Sequence, residues 1–492
     1  MIHKPPIDWL ALSPELVLLG VAGAILLAAV LAPKGIRKQL SAVLCGLGYA
    51  GAFSAAVVLY TRSANGHGAI ADAIFRDRFG AVAQLIVAGA GFIAVLIAYN
   101  ERTRNEFVAE SYALLAAAGG GMLFFVTAGN LMTMFLSLEW FSICLYVMCA
   151  IDVDVEGSLE AGLKYLIIGG FGSAILLFGS ALVYGATGEI GFSEIARATA
   201  AGGYSDDAML VIGLAMIITG LGFKASAAPF HMWTPDAYEG APTPVTAFMS
   251  AATKAAALVV TLRILVTAFP QDEHLWSVAL AAIACISLAV GNLAALAQRN
   301  VKRLLAYSSI SHAGFMLIPI AAANEFGGRA LLYYLIPYCA MSLGAFAVVA
   351  ARERELGAPV TLDNLAGFGW ERPFFGVAMA TFMFGFAGLP PGGAFWGKFL
   401  AFAAAYKHGW TWLIVVGVAA TAVSLYYYLA VIRSMFFRSA AELQLAPIGG
   451  SPPRELALGV AVFLSLLVTV GSFVLVSPLT GLAKHAARSL PF

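Results

Sequence analysis

Six ionisable residues interrupt an otherwise apolar chain. They are Glu139 in NLMTMFLSLEWFSICLYV, Lys164 in SLEAGLKYLII, Lys224 in GLGFKASAAPFHMW, Lys254 in SAATKAAAL, His312 in YSSISHAGF and Lys398 in GLPPGGAFWGKFLAF. A charge at the centre of a bilayer costs roughly 2.5–3.5 kcal/mol on insertion scales. Four lysines and one glutamate left apart would therefore cost more than about 10 kcal/mol, so something must hydrate or pair them. The natural arrangement is a polar seam inside a helical bundle, with Glu139 pairing to a lysine. Burial disfavours a charged amine and a nearby carboxylate favours it, so a lysine between the two influences can exchange a proton near neutral pH. Arginine stays charged in proteins. Lysine at four such positions points to proton handling more than to fixed pairing.

Each position also has a purely structural reading. Glu139 can be half of a static ion pair between helices. Lys224, five residues before Pro229, can rest on carbonyls freed by the break, and Lys254 lies among small residues that allow close packing. Lys164 lies only a turn or so into its span and can extend to the inner surface. Arg263, near the outer end of its span, is expected to snorkel outward. His312 stands among Tyr307, Ser308, Ser309 and Ser311, as a relay member or a core histidine satisfied by a hydroxyl. No second ligand stands at metal spacing, so no metal is expected. Lys398 follows a Pro-Pro-Gly-Gly break, and non-helical backbone at membrane depth is tolerated when buried or lining a cavity. Asp236 and Glu239 in TPDAYEGAPTP either cap the next span or serve proton uptake. Tyr426 to Tyr428 either continue a polar path or pack.

These side chains need a membrane scaffold. Of 492 residues, 61% are hydrophobic and 11% charged, against about 25% charged in soluble domains. A spanning helix takes about 20 apolar residues. Fourteen spans are predicted, near 14–32, 40–61, 79–99, 109–127, 130–150, 160–186, 207–228, 242–268, 275–297, 303–323, 329–351, 373–406 (interrupted), 411–433 and 455–480. The fold class is thus an all-α polytopic membrane protein. Net charge is +1, giving no field for nucleic acid. The five cysteines fall inside spans without a C-x-x-C pair and read as small buried hydrophobes. No P-loop, dinucleotide fingerprint or Ser-His-Asp arrangement is visible. The first span reads as an uncleaved anchor, because no basic region and small-residue cleavage site frame it. With the amino terminus outside, inner segments hold fourteen Lys and Arg and outer ones nine, a bias that places both termini outside.

A repeat lies in the spacing. Lys224 follows Glu139 by 85 residues, and Lys398 follows His312 by 86. Spans 4–8 and 9–13 then form two five-helix units, with spans 7 and 12 interrupted. An odd number of helices forces the second unit to enter from the opposite side, and broken helices in inverted repeats mark ion or substrate sites near the midplane. The correspondence is incomplete: Pro229 follows Lys224 whereas Pro390 and Pro391 precede Lys398, and nothing mirrors Lys164. The expected division is 1–108 (three N-terminal helices), 109–268 and 269–435 (the two halves), and 436–492 (inner loop and last helix).

GFKASAAPFHMWTPDAYEGAPTPVTAFMSAATKAA, SLEAGLKYLIIGGFGSAILLFGSALVYGATG, QRNVKRLLAYSSISHAGF and GLPPGGAFWGKFLAF together resemble the N-type antiporter-like membrane subunits of bacterial proton-pumping NADH–quinone oxidoreductase, respiratory complex I. The resemblance runs from about residue 10 to 480. The wider family includes the L and M subunits and subunits of sodium/proton antiporters. Threonine and tyrosine in HMWTPDAYEG, lysine at Lys398 and an end soon after the last span favour the N type. The resemblance implies a chain that translocates protons in the bacterial inner membrane beside other membrane subunits and lipid. NADH, flavin (FMN), iron–sulfur clusters and quinone would be bound by partner subunits and no cofactor by this chain. It assigns Glu139 and Lys224 as the partnered pair, Lys254 as the central lysine, Lys398 as that of the second half, Lys164 as the extra helix-six lysine, and His312 as a polar member of the path. The alternative is a subunit of a multisubunit sodium/proton antiporter. A non-conducting scaffold would leave the buried charges unexplained.

Overall fold

The computed structural model describes residues 7–63, 66–99, 101, 107–202, 207–438 and 455–492. Four of the cations counted for orientation, Lys4, Arg102, Arg104 and Arg454, lie outside them. Helices α1 (Ser13–Leu31), α2 (Arg37–Arg62) and α3 (Arg78–Ala98) form an N-terminal trio, with a hairpin of β1 (His67–Ala69) and β2 (Ile74–Arg76) before α3. The hairpin is antiparallel, pairing His67 with Arg76 and Ala69 with Ile74. It is an addition to the all-helical expectation, since three-residue strands carry too little periodicity to read. Next come α4 (Val108–Thr127), α5 (Leu131–Cys149), α6 (Glu156–Thr187) and the short α7 (Phe192–Gly202). Helix α8 (Ala208–Lys224) stops at a break and resumes as α9 (Trp233–Gly240). Helix α10 (Thr243–Phe248), a π-helical turn (Met249–Thr253) and α11 (Lys254–Ala268) run on as one span.

The second half repeats this order. It has α12 (Glu273–Leu296), α13 (Val301–Ala321) and α14 (Glu325–Leu356), then a one-turn α15 (Phe368–Glu371). Helix α16 (Pro373–Ala387) breaks and resumes as α17 (Ala394–Lys407), and α18 (Thr411–Phe437) closes the unit. Finally come α19 (Leu456–Val474) and α20 (Val476–Ala487). Among the described residues twelve helices are long and apolar enough to cross a membrane, and the two broken ones bring the spans to the expected fourteen. The expected last span, 455–480, ends early at Val474. Pro478 sits in the first turn of α20, where its missing N–H costs nothing, so the apolar run is two helices.

Polar side chains set where helices start. Asn130 accepts from the Thr133 amide at 2.7 Å, Asn324 from Gly327 at 2.8 Å and Asp77 from Gly80 at 2.6 Å, each satisfying an amide that the first turn leaves orphaned. Neighbouring loops then tie together at the two ends of the bundle, through isolated bridges between Asn130 and Gly191 and between Asn300 and Thr361.

Three spans make the axis of the bundle. The apolar stretches of α10–α11, α13 and α14 are 100%, 94% and 94% buried, whereas those of α1, α18 and α19 are about one-third buried or less. Side chains on the three axial helices have almost no lipid face, and Lys254 and His312 are on two of them. Close approach of α12 to α13 depends on glycine. A Cβ at Gly291 would lie 2.5 Å from the Ser311 nitrogen and 2.9 Å from the Tyr307 carbonyl, contacts with rigid backbone. Small residues at such crossings are how membrane helices pack. Gly291→Ala is expected to destabilise the bundle by about 1–3 kcal/mol, the usual scale of overpacking. Gly20→Ala, where nothing lies within 4 Å, should change nothing. The midpoint of heat-induced loss of the intact complex on native gels checks the pair.

Candidate functional site

The break after α8 places Lys224 at the end of a helix inside the bundle, 2% exposed. One carbonyl freed there, that of Phe223, is taken by the Trp233 indole N–H at 3.1 Å. The ammonium is held instead by the Ser142 hydroxyl at 2.7 Å and the Tyr165 hydroxyl at 3.1 Å. The Phe141 ring lies 4.6 Å from it, a cation–π contact, and Trp233 stacks on Tyr165 at 4.4 Å. The expected direct ion pair with Glu139 is not formed. Glu139 has no ion-pair partner among the described residues, and its buried Oε1 has no hydrogen-bond partner. The reason is helical spacing: Ser142 lies three residues on from Glu139, roughly 4.5 Å along the axis, and the amine reaches that hydroxyl.

Lys254 begins α11 directly after the π turn and is fully buried. A π bulge inserts an extra residue and often sits at functional positions. Its amine donates to the Ser309 hydroxyl and carbonyl. Ser309 also accepts from Tyr338 at 3.2 Å. The buried Tyr238 hydroxyl faces Ser226 and Ser309, the latter the partner of Lys254, and the Tyr238 and Thr234 hydroxyls have no close hydrogen-bond partner.

His312 is 1% exposed on α13. Its Nδ1 lies 3.0 Å from the Tyr334 hydroxyl and its Nε2 3.2 Å from that of Tyr428, and Tyr428 also bonds Ser308. Tyr427 donates to Asn292 at 2.9 Å. The tyrosine run therefore splits: Tyr427 and Tyr428 face inward, and Tyr426 is 70% exposed. Lys398, 4% exposed, donates to the Phe386 and Ala387 carbonyls at 3.0 and 3.2 Å. These are the carbonyls the break after α16 frees. The Phe386 ring lies 5.2 Å from the His312 ring, so one residue touches both.

Three further expectations need correcting. Arg263 does not snorkel: it is 1% exposed and doubly bonded to Asp77, at 2.6 and 2.9 Å. Its partner lies 186 residues earlier, out of reach of any local reading. Lys164 is not among the buried amines. Its side chain is 42% exposed and sits 2.6 Å from Glu160 and 2.9 Å from Asp236, as its position near the helix start allows. Asp236 and Glu239 do not cap α10, which has Pro242 at that place and no side-chain cap. They share Arg303 at 2.7 and 2.8 Å, and Asp236 joins it to Lys164. Lys302 is a buried cation the sequence placed in an inner segment. It donates to the Ala241 carbonyl at 2.8 Å, 3.8 Å from Glu353.

Ser142, Tyr165, Tyr334 and Tyr338 line the site and were not singled out in the sequence, and Ser309, named there only as a neighbour of His312, holds Lys254. Hydroxyls are cheap enough in membrane helices to escape notice, although the cluster LLYYLIPY is one signal that could have found Tyr334 and Tyr338. Among the described residues no group of three or more His, Cys, Asp or Glu could hold a metal.

The family described as NADH:quinone oxidoreductase/Mrp antiporter, TM matches residues 128–424, which include all six candidates. NADH-quinone oxidoreductase subunit N of Trichlorobacter lovleyi is 41% identical over 432 residues, 88% of each chain. Subunit N 1 of Rhizobium meliloti is 39% identical over 97% of each. A chain of respiratory complex I from Thermus thermophilus with bound aureothin superposes with a TM-score of 0.79 at 32% identity, covering 96% of this chain and 99% of that one. A chain of the Mrp complex from Dietzia, 20% identical with a TM-score of 0.85, shares the fold. The chain belongs to the NADH:quinone oxidoreductase/Mrp antiporter family, among the N-type subunits of NADH-quinone oxidoreductase.

Proposed function

We propose that this chain moves protons across the membrane as the N-type subunit of a proton-pumping NADH–quinone oxidoreductase. Partner subunits carry the NADH, flavin, iron–sulfur and quinone chemistry, and this chain holds no redox group of its own. It sits in the bacterial inner membrane with both termini on the outer side, beside other membrane subunits.

The observation that supports the reading is the succession of buried amines, imidazole and hydroxyls from α8 through the axial helices α11 and α13 to α17. Lys224 rests on Ser142 and Tyr165, Lys254 on Ser309 and near Tyr338, His312 between Tyr334 and Tyr428, and Lys398 on two open carbonyls. Lys224 and Lys254 rest on hydroxyls, which can accept from an ammonium or donate to a neutral amine, whereas the carbonyls at Lys398 only accept. The unused hydroxyls of Thr234 and Tyr238 mark where a hydrated connection between the first two can run. Glu139, one turn from Ser142 and without an ion-pair partner, is free to swing toward or away from Lys224. Approach favours the ammonium and withdrawal releases its proton. The Lys164, Asp236, Arg303 and Glu239 cluster gathers charge at the inner end of the path. The two halves, 109–268 and 269–435, then act as uptake and exit sides joined at Lys254.

The test is the ratio of protons moved to electrons passed in proteoliposomes holding the intact complex. Glu139→Ala and Lys224→Ala should each lower it, with NADH oxidation by an artificial acceptor unchanged. An unaltered ratio removes those two residues from the path. The antiporter alternative rests on shared fold. Copurification with the iron–sulfur subunits separates the readings, since an antiporter chain would purify only with small membrane subunits.

A further inference from the structure

We infer that the face on which α14 begins and α20 ends holds a binding site for the phosphate of an anionic phospholipid. A cavity of about 450 Å³ opens there between α14, α17 and α20, within the size of ordinary ligand sites. Arg329, Lys407, Lys484 and Arg488 line it, against one carboxylate, Glu325. Glu325 is occupied by Arg488 at 3.0 Å. The other three cations have no carboxylate partner among the described residues. Arg329 and Lys407 are neighbours, their charges 5.3 and 4.0 Å from the centre of the same Phe326 ring, and the Arg329 Nε is buried with no hydrogen-bond partner. Like charges gathered in a concave, partly dry site raise the local potential and draw in an anion. The start of α14 at Glu325 adds the positive end of a helix dipole.

The surroundings favour a lipid over a soluble ion. Tyr406 and Trp412, 69% and 49% exposed, flank Lys407 along the chain, and Trp410 packs on His408 at 4.4 Å. Exposed aromatic residues of this kind gather at the membrane–water boundary. Val474 and Leu475, where α19 turns into α20, are 71% and 54% exposed and offer apolar surface for acyl chains. Basic pockets between membrane helices hold acidic headgroups in this manner. The inference does not depend on the proton path, because none of its residues belongs to it.

Native mass spectrometry of the intact, delipidated complex tests it, with dioleoylphosphatidylglycerol, dioleoylphosphatidylcholine and inorganic phosphate as probes. Phosphatidylglycerol should bind at one site at least about 10-fold more tightly than phosphatidylcholine, on the scale of several interfacial cations. The triple variant Arg329→Gln, Lys407→Gln, Lys484→Gln should lose that site. Glu325→Gln should instead tighten it, a gain that damaged folding would not produce. A triple variant that keeps the preference, or a weaker Glu325→Gln, overturns the site. Displacement of the lipid by an equal concentration of inorganic phosphate overturns its assignment to a lipid.

Discussion

Lys254→Met is expected to abolish the whole contribution of this chain to proton pumping, and Lys254→Arg is expected not to restore it. The amine is fully buried on a span whose apolar stretch is completely enclosed, so no lateral route through lipid bypasses it. It sits where the two halves meet, held by Ser309, which also receives Tyr338. Removing a positioned acid–base group slows a proton transfer by roughly 10²-fold or more, which leaves the path closed on the timescale of turnover. The arginine variant separates two roles. A guanidinium keeps the positive charge and can still donate to Ser309, but it does not give up its proton. A structural cation would therefore be replaced by arginine with little loss, whereas a relay would stay broken. Protons moved per NADH in proteoliposomes, measured with a pH-sensitive dye, decide between them. Wild-type pumping by Lys254→Arg would sink the relay role. Electron transfer from NADH to an artificial acceptor should be the same in both variants, because the proposed function assigns it to partner subunits.

Much of this site is readable in the sequence because lipid makes charge expensive. Lys224, Lys254, His312 and Lys398 stand out one by one in apolar runs, and each proves to be buried. The breaks after α8 and α16 are equally readable, since proline and glycine punctuate an apolar segment where nothing else does. What the sequence withholds is pairing. Glu139 and Lys224 look like an ion pair from their types, yet the distance is set by which turn of α5 meets the end of α8, and the amine bonds Ser142 instead. The hydroxyl partners are invisible for a related reason. Serine and tyrosine are ordinary in membrane helices, and only the packing shows that Tyr334, Tyr338 and Tyr428 converge on one histidine while Tyr426 faces out. Charges near helix ends are the least legible, since the same residue type can reach the interface or fold inward. Lys164 does the first and Arg263 the second.

Asp77→Ala is expected to destabilise the subunit by about 3–5 kcal/mol, the cost of breaking a buried pair by removing one partner. Arg263 lies on α11 and Asp77 at the start of α3, with side chains 1% and 4% exposed, so the pair fastens the N-terminal trio to the first half. The guanidinium also lies 5.3 Å from the ring centres of both Phe75 and Phe79, which close it off from water. Without Asp77 the charge stays buried and nothing compensates it. Asp77 has a second task, accepting from the Gly80 amide at 2.6 Å, and losing such a cap costs about 1 kcal/mol. Asp77→Asn keeps an oxygen for that cap while removing the charge, so it should be milder than Asp77→Ala by about the value of the cap. Arg263→Met alone strands the carboxylate and should be comparably harmful. The double variant Asp77→Asn, Arg263→Met removes both charges and should recover most of the loss, because a buried pair exchanged for neutral groups of similar volume is often close to neutral. The amount of subunit retained in the purified complex, and the midpoint of its thermal dissociation, measure all four. Strict additivity of the two single substitutions would mean that the two side chains do not act as a pair, and α3 would then be held to α11 by packing alone.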